Sequence, residues 1–373
     1  MRADIKIHPL MLLLSSFLPK NPHNCFICGA IFDALTFLMF WKIQKENNKD
    51  ANGQEYKPDK VNDMIAFIDE NKAELSSLFF YLNPFSIISC GSNASFQVKY
   101  CLILIFLFEV NKVGQIAPLI CASVLLCIDP HCILLLLPVV ISASNCSSFH
   151  ISSKYNMKLI LKMLINFSAI LLFTSAITVA STIFLLLRTR FECSLETFFP
   201  FLYSVLKSSF VSPICGVDDY RPSSSLLWYP RALVSVDEPF LIFCMQFIPF
   251  VLALPLCIRY WKFPKELTLL LEMLVVFFSS QSTFSDVVIP LTMYLACPHL
   301  MNYSMSSVVV FFPLQCVCAL LSFAFRALIN HMEMGNLNIS WFLLVAFWAL
   351  TMLSDNTVIR SIRQYTWAVQ EKM

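Results

Sequence analysis

Apolar runs broken by short polar punctuation follow one another along the chain. They lie near residues 25–42, 77–90, 96–109, 113–128, 130–143, 159–187, 197–214, 240–258, 267–280, 284–297, 305–329 and 340–354. Several fall short of the roughly 20 residues that a simple span requires. Short hydrophobic pieces broken by Pro and Asn predict re-entrant or interrupted helices, which persist at membrane depth only where protein or a wet cavity satisfies the freed backbone groups. "YLNPFSIISC", Tyr81 to Cys90, is such a piece, and "STFSDVVIPLTMYLACPHL", Ser282 to Leu300, is another. No internal repeat emerges. The pattern therefore predicts an all-α membrane protein, a polytopic bundle of roughly 9–12 transmembrane or re-entrant helices, organised as a single membrane domain over residues 1–373. The N-terminus, "MRADIKIHPLMLLLSSFLPK", has a basic start and a short apolar core but no A-x-A-like site, and another apolar segment follows at once. It reads as an interfacial or partial first helix.

Composition strengthens the membrane reading. Of 373 residues, 58% are hydrophobic and only 13% charged, against about 45–50% and 25% in a soluble domain; mean hydropathy is +0.70. The formal net charge of +2 and the lack of a Lys/Arg cluster interleaved with aromatics give nucleic-acid binding no support. The 15 Cys are an odd number, spread mostly one at a time through apolar runs. In that setting Cys acts as a small buried hydrophobe. The one close pair, Cys25 and Cys28, has no second pair or His at metal-site spacing, so neither a metal nor a redox cofactor is expected.

Three polar connections set a topology. Residues 43–76 form the longest soluble stretch, basic close to the membrane, and read as a cytoplasmic loop. "RYWKFPK", Arg259 to Lys265, is short, basic and flanked by Trp and Tyr; it reads as cytoplasmic, as does the tail with Arg360, Arg363 and Lys372. Counting back from the tail places Gly335 to Asn338 and Asp218 to Glu238 on the opposite, lumenal side.

Polar residues inside such a chain are the candidates for chemistry. Asp33 in "GAIFDALTFLMF" either pairs with a neighbouring helix or meets a ligand. Asn83 and Pro84 break a helix and free a carbonyl one turn earlier, which the Asn side chain can help to cap. Asp286 resembles Asp33 in its isolation, with Gln281, Ser282 and Thr283 beside it as donors. Asp218 and Asp219 open "DDYRPSSSLLWYP"; adjacent carboxylates can grip a divalent metal, but a loop also simply solvates them, and no second acidic motif accompanies them. Asn336 and Asn338 offer amides at a membrane boundary, suited to sugar hydroxyls or phosphate oxygens but without acid–base power. Asn338-Ile339-Ser340 is also a glycosylation sequon, one of five. No P-loop, HExxH, Gly-rich phosphate loop or Ser-His-Asp arrangement is present, so no catalytic residue is expected.

Five islands in order resemble the PIG-U family of glycosylphosphatidylinositol (GPI) transamidase subunits. They are "DALTFLMFWKIQ" (Asp33 to Gln44), "FFYLNPFSIISC" (Phe79 to Cys90), "DYRPSSSLLWY" (Asp219 to Tyr229), "STFSDVVIPLTMYLACPHL" and "GNLNISWF" (Gly335 to Phe342). The resemblance runs from about residue 25 to 367, with the family's first span worn down before Asn24. It implies a noncatalytic, multi-pass subunit of the endoplasmic reticulum membrane that binds or presents the GPI lipid. The implied partners are subunits of the PIG-K, PIG-T, PIG-S and GPAA types, and the implied lipid contacts are Asn338, Asn336 and Lys158. The family is similar in architecture to the dolichol-dependent (GT-C-like) mannosyltransferases. In those enzymes the Asn-Pro helix runs into Arg-Gly-Asn-Ala-Asp/Glu, whereas here the same place reads "SCGSNASF" (Ser89 to Phe96) and lacks the charges that glycosyl transfer needs. A dolichol-phosphate-mannose-dependent mannosyltransferase and a transporter or channel stand as the alternative functions.

Overall fold

The computed structural model describes residues 116–143, 157–188, 195–211, 239–278, 284–295, 298–332 and 337–371, with the single positions 9, 10, 31, 34 and 38. Among the described residues every regular element is helical and no strand occurs. The helices are α1 (Ile116–Ile128), α2 (Leu136–Ala143), α3 (Met157–Arg188), α4 (Leu195–Leu206), α5 (Pro239–Tyr260), α6 (Pro264–Phe278), α7 (Val288–Leu295), α8 (Pro298–Met332) and α9 (Leu337–Glu371). Short 3₁₀ turns, Pro130–Leu135 and Phe284–Val287, lead into α2 and α7, and one π-turn, Lys207–Val211, ends α4.

Two helices are long and apolar enough to cross a membrane, Ile160–Leu187 within α3 and Trp341–Ala368 within α9, each 28 residues. At 1.5 Å per residue each reaches about 42 Å, more than the roughly 30 Å hydrocarbon core. Only 33% of either apolar window is buried inside the chain. A core helix of a soluble domain would be mostly buried, so the exposed Leu172 and Leu187 of α3 and Phe342 of α9 belong against lipid or other protein. Shorter apolar helices occupy Leu119–Ile128, Pro130–Ile141, Phe247–Tyr260 and Val310–Phe325. Membrane-protein character is thus plain in the described residues.

The chain divides into two compact units. Residues 1–36, 90–220 and 234–275 form the first, and residues 37–89, 221–233 and 276–373 form the second. In the first unit, α1 stops at Asp129 because Pro130 can start a helical turn but cannot donate back into the preceding one. The chain bends there, so that Leu119, Ala122 and Leu126 of α1 share a buried cluster with Leu136, Val139 and Val140 of α2 and Ile170 of α3.

Small residues set the approach of α1 to α3. Ser123 is fully buried, and its hydroxyl proton is shared between Leu119 O at 2.8 Å in its own helix and Ile170 O at 3.1 Å in α3. One turn on, Cys127 Sγ lies 4.0 Å from Thr174 O. On α3 the facing stripe is Asn166, Ile170, Thr174, Thr178 and Thr182, a four-residue period that is buried throughout. Its hydroxyls bond back to carbonyls of their own helix, Thr174 to Ile170 O at 2.8 Å, Thr178 to Thr174 O at 2.8 Å and Thr182 to Thr178 O at 2.7 Å. Polar side chains are thereby satisfied without water, as a bilayer demands.

The basic connection at Arg259 to Lys265 forms a tight corner between α5 and α6. Phe263 N donates to Tyr260 O at 2.9 Å, Pro264 opens α6, and Thr268 Oγ1 donates to Pro264 O at 2.6 Å. The Arg259 guanidinium lies 5.8 Å from the Tyr260 ring centre, within cation–π range.

Candidate functional site

In the second unit α8 and α9 run antiparallel, with only four residues between them. On α9 the buried positions include Leu344, Phe347, Trp348, Thr351, Ser354, Val358, Ser361, Ile362 and Thr366. This three-and-four spacing, with a seven-residue period, keeps one face of the helix on its partner over many turns. The α8 side contributes Gln315, Ala319 and Ser322, also seven residues end to end and buried. On the α8 side small and polar groups therefore line the seam, which lets the large side chains of α9 pack against it closely. A hydrogen bond crosses it. Gln315 Nε2 donates to Thr351 Oγ1 at 3.1 Å, and that hydroxyl donates in turn to Phe347 O at 3.0 Å.

An aromatic cluster packs around the same seam. Phe347 and Trp348 meet edge to face at 5.4 Å, Phe277 meets Trp348 at 5.5 Å, and Phe284 reaches both Phe347 at 4.7 Å and Phe323 at 5.2 Å. Edge-to-face pairs at these separations add to the plain burial of the rings. Phe284 begins the 3₁₀ turn that carries Asp286, so its anchoring fixes Asp286, which is buried. The neighbouring Gln281, Ser282 and Thr283, expected as its donors, lie outside the described residues.

Of the residues expected to meet the lipid, Asn338 sits in the first turn of α9 and is exposed. Trp341, one turn further on, is half-buried at the start of the candidate span. The chain thus presents an amide at a boundary where an aromatic side chain and the apolar run begin. Lys158 lies in the first turn of α3, a helix of the first unit; its side chain is outside the described residues. Asn336, Asp33, Asn83, Pro84 and Asp219 also lie outside them.

Two ionic features were not singled out in the sequence. Asp129 caps the turn at the α1–α2 bend, accepting from His131 N at 3.0 Å, and the His131 ring nitrogen Nδ1 lies 3.1 Å from the same carboxylate oxygen. The Asp-Pro step between two apolar runs is the signal that could have found it. Asp355 stands inside the candidate span of α9. Among the described residues no three His, Cys, Asp or Glu side chains gather as a metal site would require.

The described residues are helical, with two helices long and apolar enough to cross a membrane and polar side chains buried on their helix seams, as a membrane protein requires. The family model for GPI transamidase subunit PIG-U matches residues 3–347. The chain belongs to the PIG-U family and is a GPI transamidase subunit by that membership. The match reaches back to residue 3, so the N-terminal stretch before Asn24 falls inside the family, and it includes Asn338 and the start of α9. No curated protein matches the chain.

Proposed function

We propose that this chain is a noncatalytic, multi-pass subunit of the GPI transamidase complex in the endoplasmic reticulum membrane, and that it holds the GPI lipid for a separate catalytic subunit. The observation that carries the reading is the placement of Asn338 within the family match. It is an exposed amide on the first turn of a helix that begins to cross the membrane at Trp341. With the tail cytoplasmic, this turn lies on the lumenal side, level with the lipid headgroup. Its amide can donate to a phosphate oxygen and accept from a sugar hydroxyl. Asn336 and Lys158 are proposed as further contacts, the lysine meeting phosphate as a point charge. Partners of the PIG-K, PIG-T, PIG-S and GPAA types would supply the transamidation chemistry, on a GT-C-like scaffold whose transferase charges this chain lacks.

The experiment separates lipid contact from glycosylation at the same sequon. A hydrogen bond to a charged phosphate is worth about 1.5–3 kcal/mol, so Asn338→Ala should weaken lipid engagement by about ten-fold or more. Ser340→Ala removes the sequon and leaves the amide. Surface display of GPI-anchored proteins in cells carrying either variant is the readout. Equal impairment by both changes would replace lipid contact with a glycan or folding role.

A further inference from the structure

Asp355 lies within the 28-residue apolar run Trp341–Ala368. A simple crossing uses about 20 residues. Every stretch of that length taken from this candidate span includes residues 349–360, so a crossing made by α9 holds Asp355 and Asn356 inside it. Asn356 is exposed on the surface of α9, and Asp355 beside it is half-buried. An ionisable group at that depth is costly unless it is paired.

No described residue pairs it. The positions one turn away along α9, where a helical partner would stand, are Thr351, Met352, Val358 and Ile359. Thr351 is already engaged with Phe347 O and Gln315, and none of the four carries a positive charge. Arg360 is five residues on, turned about 140° around the helix. Across the seam, the antiparallel register set by Gln315 and Thr351 brings Phe311 and Phe312 of α8 level with Asp355, and neither offers a polar group. No hydrogen bond or charge from any described residue reaches the carboxylate.

We infer that Asp355 and Asn356 form the docking point for a transmembrane helix of another subunit, one that brings a lysine or arginine to membrane depth. This rests on the proposed membership of a multisubunit complex. Charge complementarity selects the occupant. A carboxylate in hydrocarbon is matched by a guanidinium or ammonium, the adjacent amide can satisfy the remaining donors, and the exposed Met352, Leu353 and Ile359 supply apolar contact on either side. A lipid tail offers nothing to the carboxylate. A headgroup cannot reach it without dragging water inward.

The test uses the intact complex, purified in mild detergent through a tag on this chain, with subunits identified and quantified by mass. A photo-crosslinking residue replaces Asn356, and Asp355→Asn and Asp355→Lys are prepared separately. The crosslink should fall on a transmembrane segment of a co-purifying subunit, within about one helical turn of a Lys or Arg. Asp355→Asn should lower that subunit's share by about two- to five-fold and Asp355→Lys by about ten-fold, and changing the crosslinked basic residue to Asp should restore the Asp355→Lys complex. Crosslinks to lipid or to this chain's own helices, or unchanged subunit ratios with Asp355→Lys, would overturn the inference. A Lys variant that loses every subunit together is judged by Asp355→Asn, which keeps the shape and folds as wild type unless the site is structural within the chain. If the wild-type chain purifies alone, it is the subunit reading that fails; a full complex indifferent to Asp355 negates only the docking point.

Discussion

Replacing Thr351 with Val keeps the shape of the side chain but removes the acceptor for Gln315 Nε2 at 3.1 Å and the donor to Phe347 O at 3.0 Å. The Phe347 carbonyl loses little, because a helix carbonyl already serves a backbone donor. The Gln315 amide is 2% exposed and is left without its partner across the seam. An unmade bond of a buried polar group costs about 1–3 kcal/mol, whereas interhelical polar bonds in membranes average about 0.6 and reach about 1.7 kcal/mol. With no room to swing into water, Gln315 belongs near the upper end, so Thr351→Val should destabilise by about 1–2 kcal/mol. Gln315→Leu should cost less, about 0.5–1 kcal/mol, because the Thr351 hydroxyl keeps its bond to Phe347 O. The double variant should cost less than the sum by at least about 0.5 kcal/mol. The assay is reversible unfolding of the detergent-solubilised chain in mixed micelles, followed by tryptophan fluorescence, with all four members of the cycle. If Gln315→Leu costs more than Thr351→Val, or if the two changes simply add, the seam is not held by this bond.

The α1–α2 bend should lose about 0.5–2 kcal/mol when Asp129→Ala removes its cap and much less with Asp129→Asn, measured by the same unfolding assay. Phe347→Ala should be the harsher change, about 3–5 kcal/mol, since it empties the centre of the aromatic cluster; loss of assembled protein on detergent gel filtration is the check. Asp218→Ala combined with Asp219→Ala should leave GPI attachment to proteins in place, and abolished mannosyl transfer in a complex that still assembles would argue for the transferase alternative instead. Asn338→Ala should leave the unfolding midpoint unchanged while lowering surface display, because an exposed amide has water as an alternative partner.

Hydropathy located helices well where lipid and backbone make the same demand. The run expected at 159–187 is α3, those at 240–258 and 267–280 are α5 and α6, and the half-length piece at 284–297 is a 3₁₀ turn leading into α7. It failed where they part. The run read as ending at 354 continues as helix to Glu371, because Asp355, Asn356 and Arg360 lower the local hydropathy without changing the backbone state of a helix. The run expected from 305 begins at Pro298, where proline fits the first turn of a helix. The start of the helix that carries Asn338 was legible from the polar residues ahead of Trp341. The Gln315–Thr351 bond was not, since it joins residues 36 apart whose meeting depends on the register of two helices.

Ser123 and Cys127 reach backbone carbonyls of α3, Ile170 O and Thr174 O, and Cys127 also meets the Thr178 hydroxyl. Carbonyl oxygens are the same at every residue, so what the contact demands of position 123 is smallness, while position 127 combines smallness with a group that can meet a hydroxyl. Saturation mutagenesis of α1 should therefore sort its variants by volume. Ala, Gly, Ser and Cys should be the best tolerated at 123 and 127, with Ser and Cys preferred at 127, and Leu or Phe should be rejected there, while exposed positions such as Ile120 accept larger apolar side chains. Two helices joined in this way can drift far in sequence and still meet at the same distance, provided that two sites on one of them never grow.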